Sequence, residues 1–192
     1  MKHAVEAACI TLGLVFLGGC YESPLPLGPS GQTAVDEKLI GGWLQVPDRK
    51  NAGNADNPVR LAVIKFNQHE YFAVWRWKKG PDCIVTRAYC TPVDGVNFIN
   101  VQNIKDPEAG QREFIFFKYA FSDDGQLVLE AISQKPLLKD RKFDSSEQFR
   151  QFVKRHLDDK NLLMKPVRFK RSDQVTLDVA ITEKKTAEKK AD

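Results

Sequence analysis

The chain has 192 residues, with 29 Lys and Arg against 25 Asp and Glu, a formal net charge of +4. So small and dispersed an excess gives no case for a nucleic-acid binder. Aromatic content of 10% and charged content of 28% describe a globular body with a real core, not a disordered chain or a membrane bundle. From the N-terminus, Lys2 and His3 precede an apolar run that starts near Ala7 and ends in Leu17-Gly18-Gly19-Cys20. The run is too short to span a bilayer, but it matches the core of a secretory signal followed by a small-residue cleavage site. Residues 1–19 are therefore expected to be a signal peptide, and the rest suffices for one domain. Cys9 leaves with that signal.

Residues 20–35 carry Pro24, Pro26 and Pro29 with no apolar periodicity, and read as an extended tether. Leu39 to Val46 reads as a first strand, followed by a polar loop from Pro47 to Asn57. Val59 to Phe66 and Tyr71 to Trp77 are the second and third strands, with Asn67-Gln68 between them. In the third, Tyr71, Ala73, Trp75 and Trp77 share one face. A turn over Lys78 to Asp82 leads to a fourth strand, Ile84 to Cys90, and Asp94-Gly95 signals a hairpin into a fifth, Val96 to Gln102. After a loop from Lys105 to Gln111 comes a sixth, Arg112 to Phe121, with aromatics on both faces, as expected of a strand buried on both sides. Asp123-Asp124-Gly125 turns the chain into a seventh, Gln126 to Ile132.

The period then changes. Phe149, Phe152, Val153, His156 and Leu157 recur at helical spacing, which predicts an amphipathic helix over Ser146 to Leu157. Either Asp144 with Glu147 or Ser145 with Gln148 offers a capping pair. Pro166 to Lys170 reads as an eighth strand and Val175 to Ile181 as a ninth. Residues 183–192 form a charged tail. Cys83 and Cys90, in a compartment that oxidises thiols, lie seven residues apart. Along one straight strand that separation is about 23 Å, which forbids a bond between them.

Two resemblances sharpen this reading. Leu17-Gly18-Gly19-Cys20 resembles the lipobox of bacterial lipoproteins. That implies diacylglyceryl transfer to the Cys20 thiol, cleavage before it, acylation of the new amine, and a membrane as partner through these palmitate-type chains. Tyr21 stands where an Asp would, by the same resemblance, signal inner-membrane retention. The implied location is the outer membrane, reached through the periplasm, in a Gram-negative source, or else the outer face of the cell membrane. Further on, Gly41-x-Trp43 resembles the G-x-W signature of lipocalins, where the Trp plugs the closed end of a barrel and a basic residue of the last strand crosses its ring. Arg171, in preference to Arg168, is the matching residue. The T-D-Y motif of that family is missing around Tyr119 to Asp124, and the helix follows the seventh strand. The fold class is accordingly mostly β: an antiparallel up-and-down meander over residues 36–182 closing into an eight-to-nine-stranded lipocalin-like barrel, with one amphipathic helix near the C-terminus.

No catalytic constellation emerges. There is no G-x-S-x-G, Cys90 has no placed base, and Asp123-Asp124-Gly125 is too short for a calcium loop. His69 and His156 fall in different elements without a second ligand at chelating spacing, so neither metal nor cofactor is expected. Tyr71, Trp75 and Trp77 either line a ligand cavity or fill the core. Lys154, Arg155, Lys160, Lys165, Arg168, Lys170 and Arg171 outnumber nearby acids, and are either a solvated face or a meeting point for envelope phosphate groups. The expectation is a non-catalytic, lipid-anchored barrel binding an apolar or amphipathic envelope molecule. The alternative is a structural or interaction protein docking an envelope partner on the barrel surface.

Overall fold

Short turns between successive apolar runs leave no room for crossover connections, so each strand pairs with the next. A computed structural model describes residues 19–47, 58–77, 83–104 and 113–175. Its strands are β1 (Glu22–Ser23), β2 (Gly41–Gln45), β3 (Val59–Lys65), β4 (Tyr71–Trp77), β5 (Cys83–Val93), β6 (Val96–Asn103), β7 (Phe114–Phe121), β8 (Leu127–Ala131) and β9 (Val167–Arg171). A single helix, α1 (Ser146–Arg155), lies between β8 and β9, and a 3-10 turn (Glu37–Leu39) precedes β2. Strands β2 to β9 pair antiparallel in sequence order, and β9 returns to β2 with Trp43 opposite Arg171 and Gln45 opposite Phe169. Eight strands thus close a lipocalin-like barrel with no open edge, and β1 adds a short ninth strand beside β7.

Strand direction defines two ends. The lower end holds the 3-10 turn, the starts of β2 and β4, the β5–β6 turn at Asp94-Gly95 and the β7–β8 turn. The upper end holds Gln45, Val59, Trp77, Cys83, Asn103, Phe114, Ala131 and Val167, the residues at which strands leave or enter. Three connections at this end, residues 48–57, 78–82 and 105–112, lie outside the described residues.

Alternation sorts the barrel wall into two cores. Trp43, Leu61, Tyr71, Val101, Tyr119 and Phe169 point inward. Phe98 and Phe116 point outward and are buried by α1 through Phe149, Phe152 and Val153, with Phe116 and Phe149 edge to face at 4.9 Å. Strand β7 is therefore buried on both faces, which is why its aromatics do not alternate with polar residues. At the helix start Ser145 Oγ accepts from Gln148 N at 3.2 Å, so the Ser145–Gln148 pair is the cap.

Several boundaries differ from the sequence reading. Leu39 belongs to the 3-10 turn, and β5 runs on to Val93, where Asp94 and Gly95 with φ of 52° and 80° make the tight hairpin. Cys83 and Cys90 both lie on this strand and are not joined to each other. Val175 is outside any strand, and the remainder of the expected ninth strand and the charged tail fall outside the described residues.

The larger correction concerns residues 20–35, which are not a free tether. Tyr21 and Leu27 are buried in the outer core, with Tyr21 ringed by Phe116, Phe143 and Phe149. Pro24, Pro26 and Pro29 bring no N–H to a sheet ladder, so side chains hold the segment instead. Leu27 N donates to Asn100 Oδ1 at 2.8 Å, and Tyr89 Oη donates to Gly28 O at 3.0 Å. Asn100, fully buried, completes its bonding by donating to Thr91 Oγ1 at 2.9 Å. Further along, Val35 N donates to Gln68 O at 3.0 Å. Residues 20–35 are a strap laid against the barrel.

Candidate functional site

The lower end is a plug built from the first and last barrel strands. Trp43 is buried, and its Nε1 donates to Leu39 O at 2.8 Å. The Arg171 guanidinium lies 4.3 Å from the ring centroid, donates from Nη2 to Lys38 O at 2.8 Å, and donates from Nη1 to Ile40 O. Gly41 has φ of +128°, and a Cβ there would sit 2.3 Å from Arg171 Nη1, so only glycine lets the guanidinium pass. Arg168, three residues before Arg171 on the same strand, is exposed, pairs on its other side with Val128 of β8 and takes no part. Gly41, Trp43 and Arg171 therefore meet in one constellation.

Beside the plug, at the same lower end, sits a polar cluster inside the barrel. Tyr71 Oη accepts from Asp36 N, lies 3.6 Å from Cys90 Sγ and donates to Asp36 O at 3.4 Å. Cys90 Sγ donates to Tyr119 Oη at 3.5 Å, and Tyr119 donates to Asp36 Oδ2 at 3.3 Å. Burial pushes the Tyr71 and Tyr119 phenols and the Cys90 thiol up; Cys90 raises both phenols further, while their hydrogen bonds to the thiol partly offset its rise, so the three groups keep their protons. Its groups satisfy one another and offer little to a ligand.

Among the described residues, the barrel interior holds a cavity of about 30 Å³, lined wholly by apolar surface from Leu39, Tyr71, Trp75, Ile99, Phe117 and their neighbours. Trp75 is fixed there by stacking on Phe117 at 5.9 Å and by its Nε1 donating to Thr86 Oγ1 at 3.2 Å. Thr86 is buried and passes its own proton to Ala73 O at 3.1 Å. Trp77, at the upper end of β4, packs partly buried against the core but does not line the cavity. Of the three residues singled out in the sequence, two line the cavity and the third stands above it.

No protein-family model, curated protein or solved structure matches this chain.

The remaining candidates have structural engagements. Cys20 is buried, bridges Ser133 through its backbone, and places Sγ 3.7 Å from Met164 Sδ. Burial, helped by Glu22, pushes its thiol up to about 11. Lys154 pairs with Asp94 at 2.7 Å, while Lys160, Lys165, Arg168 and Lys170 are exposed. His69 Nδ1 lies 3.1 Å from Thr33 O, and His156 stacks on Phe152 at 4.1 Å. Among the described residues no group of His, Cys, Asp or Glu is gathered for a metal, and no helix is long and apolar enough to cross a membrane. Thr86 and Asn100 escaped the sequence reading. Each interrupts an apolar face in mid-strand, and that was the signal available.

Proposed function

We propose that this chain is a lipid-anchored cell-envelope lipoprotein whose barrel binds, without catalysis, an alkyl chain of an apolar or amphipathic envelope molecule. The observation that carries the binding reading is the interior, a closed barrel with a wholly apolar cavity beneath Trp75 and a satisfied polar floor. Such a lining rewards a chain with no hydrogen-bonding demands. Ligand pockets run to roughly 300 Å³ and more, about ten times this cavity, so a chain enters it only by displacing side chains. Trp77 and Trp75 stand between the cavity and the upper end and are the ones to move. The anchor rests on the Leu17 to Cys20 pattern and on the thiol chemistry it implies.

Two experiments test the halves separately. Labelling with radioactive palmitate should mark the wild type and not Cys20→Ser; label on the variant ends the lipoprotein reading. Purification in mild detergent with mass spectrometry of bound lipid, followed by titration with a fluorescent fatty acid, tests the interior. Binding should strengthen in Trp75→Ala, which enlarges the cavity. If neither form binds, the barrel is not a carrier. The second reading then stands, a structural protein docking an envelope partner. Phe66, 52% exposed and packed on Phe72 at 4.5 Å, is the natural first contact.

A further inference from the structure

The anchor position and the barrel axis are linked by the strap, and together they orient the domain. Cys20 pairs with Ser133, two residues past the upper end of β8. Immediately after it, Tyr21 N donates to Ile132 O at 2.9 Å, and Glu22 and Ser23 pair with Ile115 and Phe114 at the upper end of β7. Tyr21 and Ser23 are buried. The strap is therefore pinned from Cys20 itself onward, on the rim that also carries Trp77. The plug of Trp43 and Arg171 is at the opposite end.

We propose that the barrel is set down on the bilayer by its upper end, with the mouth against the membrane and the plug facing away. This deepens the lipoprotein reading and rests on it. No spacer separates acyl chains on Cys20 from the rim, since a Pro-rich segment that would reach about 3 Å per residue as a tether is spent on the barrel wall. Lys135 and Lys165, both exposed, flank the partners of Cys20: one follows Ser133, the other follows Met164. They suit the phosphate-bearing headgroup layer. Glu22, on the strap itself, is held up to about 7 by burial and by its neighbour Glu113, which softens its repulsion from an anionic surface. Only the Cys20 side chain has to leave Met164 and turn outward. A ligand of this barrel would then pass between mouth and bilayer without crossing water.

The test uses the full, processed protein in vesicles of phosphatidylethanolamine and phosphatidylglycerol. Mass spectrometry of the N-terminal peptide first establishes acyl chains on Cys20; their absence overturns the lipoprotein reading itself. In acylated protein, an amine-reactive label should be lost from Lys135 and Lys165 while Lys38, near the plug, and Lys170 react as in detergent-free Cys20→Ser protein. Equal labelling at both ends overturns the orientation and leaves the anchor standing. A long Gly/Ser spacer inserted after Cys20 should restore labelling of Lys135 and Lys165; continued protection there would mean that something other than the short leash covers them.

Discussion

Replacing Arg171 by Ala dismantles the plug without touching the barrel wall. The lost contacts are the guanidinium over Trp43 at 4.3 Å and the bonds to Lys38 O and Ile40 O. An exposed cation–π contact is worth about 0.5–1 kcal/mol, and each hydrogen bond about 0.5–1.5 kcal/mol net. The sum is about 1.5–4 kcal/mol, which in a chain of this size lowers the melting temperature by about 3–16 °C. Arg171→Lys keeps the charge but not the planar fork that reaches two carbonyls, so it should recover less than half of the loss. Urea denaturation of the Cys20→Ser protein followed by tryptophan fluorescence reads all three forms. A loss under about 0.5 kcal/mol for the Ala variant, within the range of ordinary surface changes, would refute the plug as a stabilising device. So would a Lys variant as stable as wild type.

Three further outcomes follow from the same geometry. Asn100→Leu strands the Leu27 amide and frees the strap, at a cost of about 1–3 kcal/mol, and limited proteolysis should cut between Tyr21 and Val35 faster than in wild type. Glu70 is buried against Arg87, whose hydrogen bond, with that of Asn67, holds its carboxyl below the usual range while burial opposes. A lowered folded pKa means stability present above the unfolded carboxylate value, about 4.3, and lost as pH falls through the folded one; the stability gap between wild type and Glu70→Gln should be full at pH 7 and close in acid. The Cys20 thiol, pushed up to about 11, should react slowly with a disulfide reagent at pH 8 in folded, unlipidated protein, and rapidly once denatured.

Which parts of this were legible in the sequence follows from the range of the interactions. Strand alternation is local, so the eight barrel strands appear within a few residues of their places. The Trp43–Arg171 pairing spans most of the chain, yet it was readable because Gly41-x-Trp43 is a compact motif with a geometric reason. The strap was not readable. Its prolines announce extended backbone whether that backbone is solvated or pinned, and the pins, Asn100 and Tyr89, lie in strands far away. Nor was the setting of Trp75: whether it lines a void or closes one depends on Phe117 and Thr86, which no spacing rule brings to it.

The strap also bears on the order of events at Cys20. A buried thiol pushed up toward 11 is a poor acceptor for diacylglyceryl, so in the proposed lipoprotein the transfer has to precede docking. Chain topology secures that order. The partners that bury Cys20 are Ser133 and Met164, the latter 144 residues further on. In a chain exported from its N-terminus, Cys20 reaches the membrane face long before either partner does. Until β7 and β8 exist there is no rim for the strap to pair with, and the thiol stays open to modification. Once they form, the residues from Tyr21 onward close into the wall, and an acylated Cys20 has only outward to turn. The contacts that forbid late lipidation would be the ones that fix the finished domain against the bilayer.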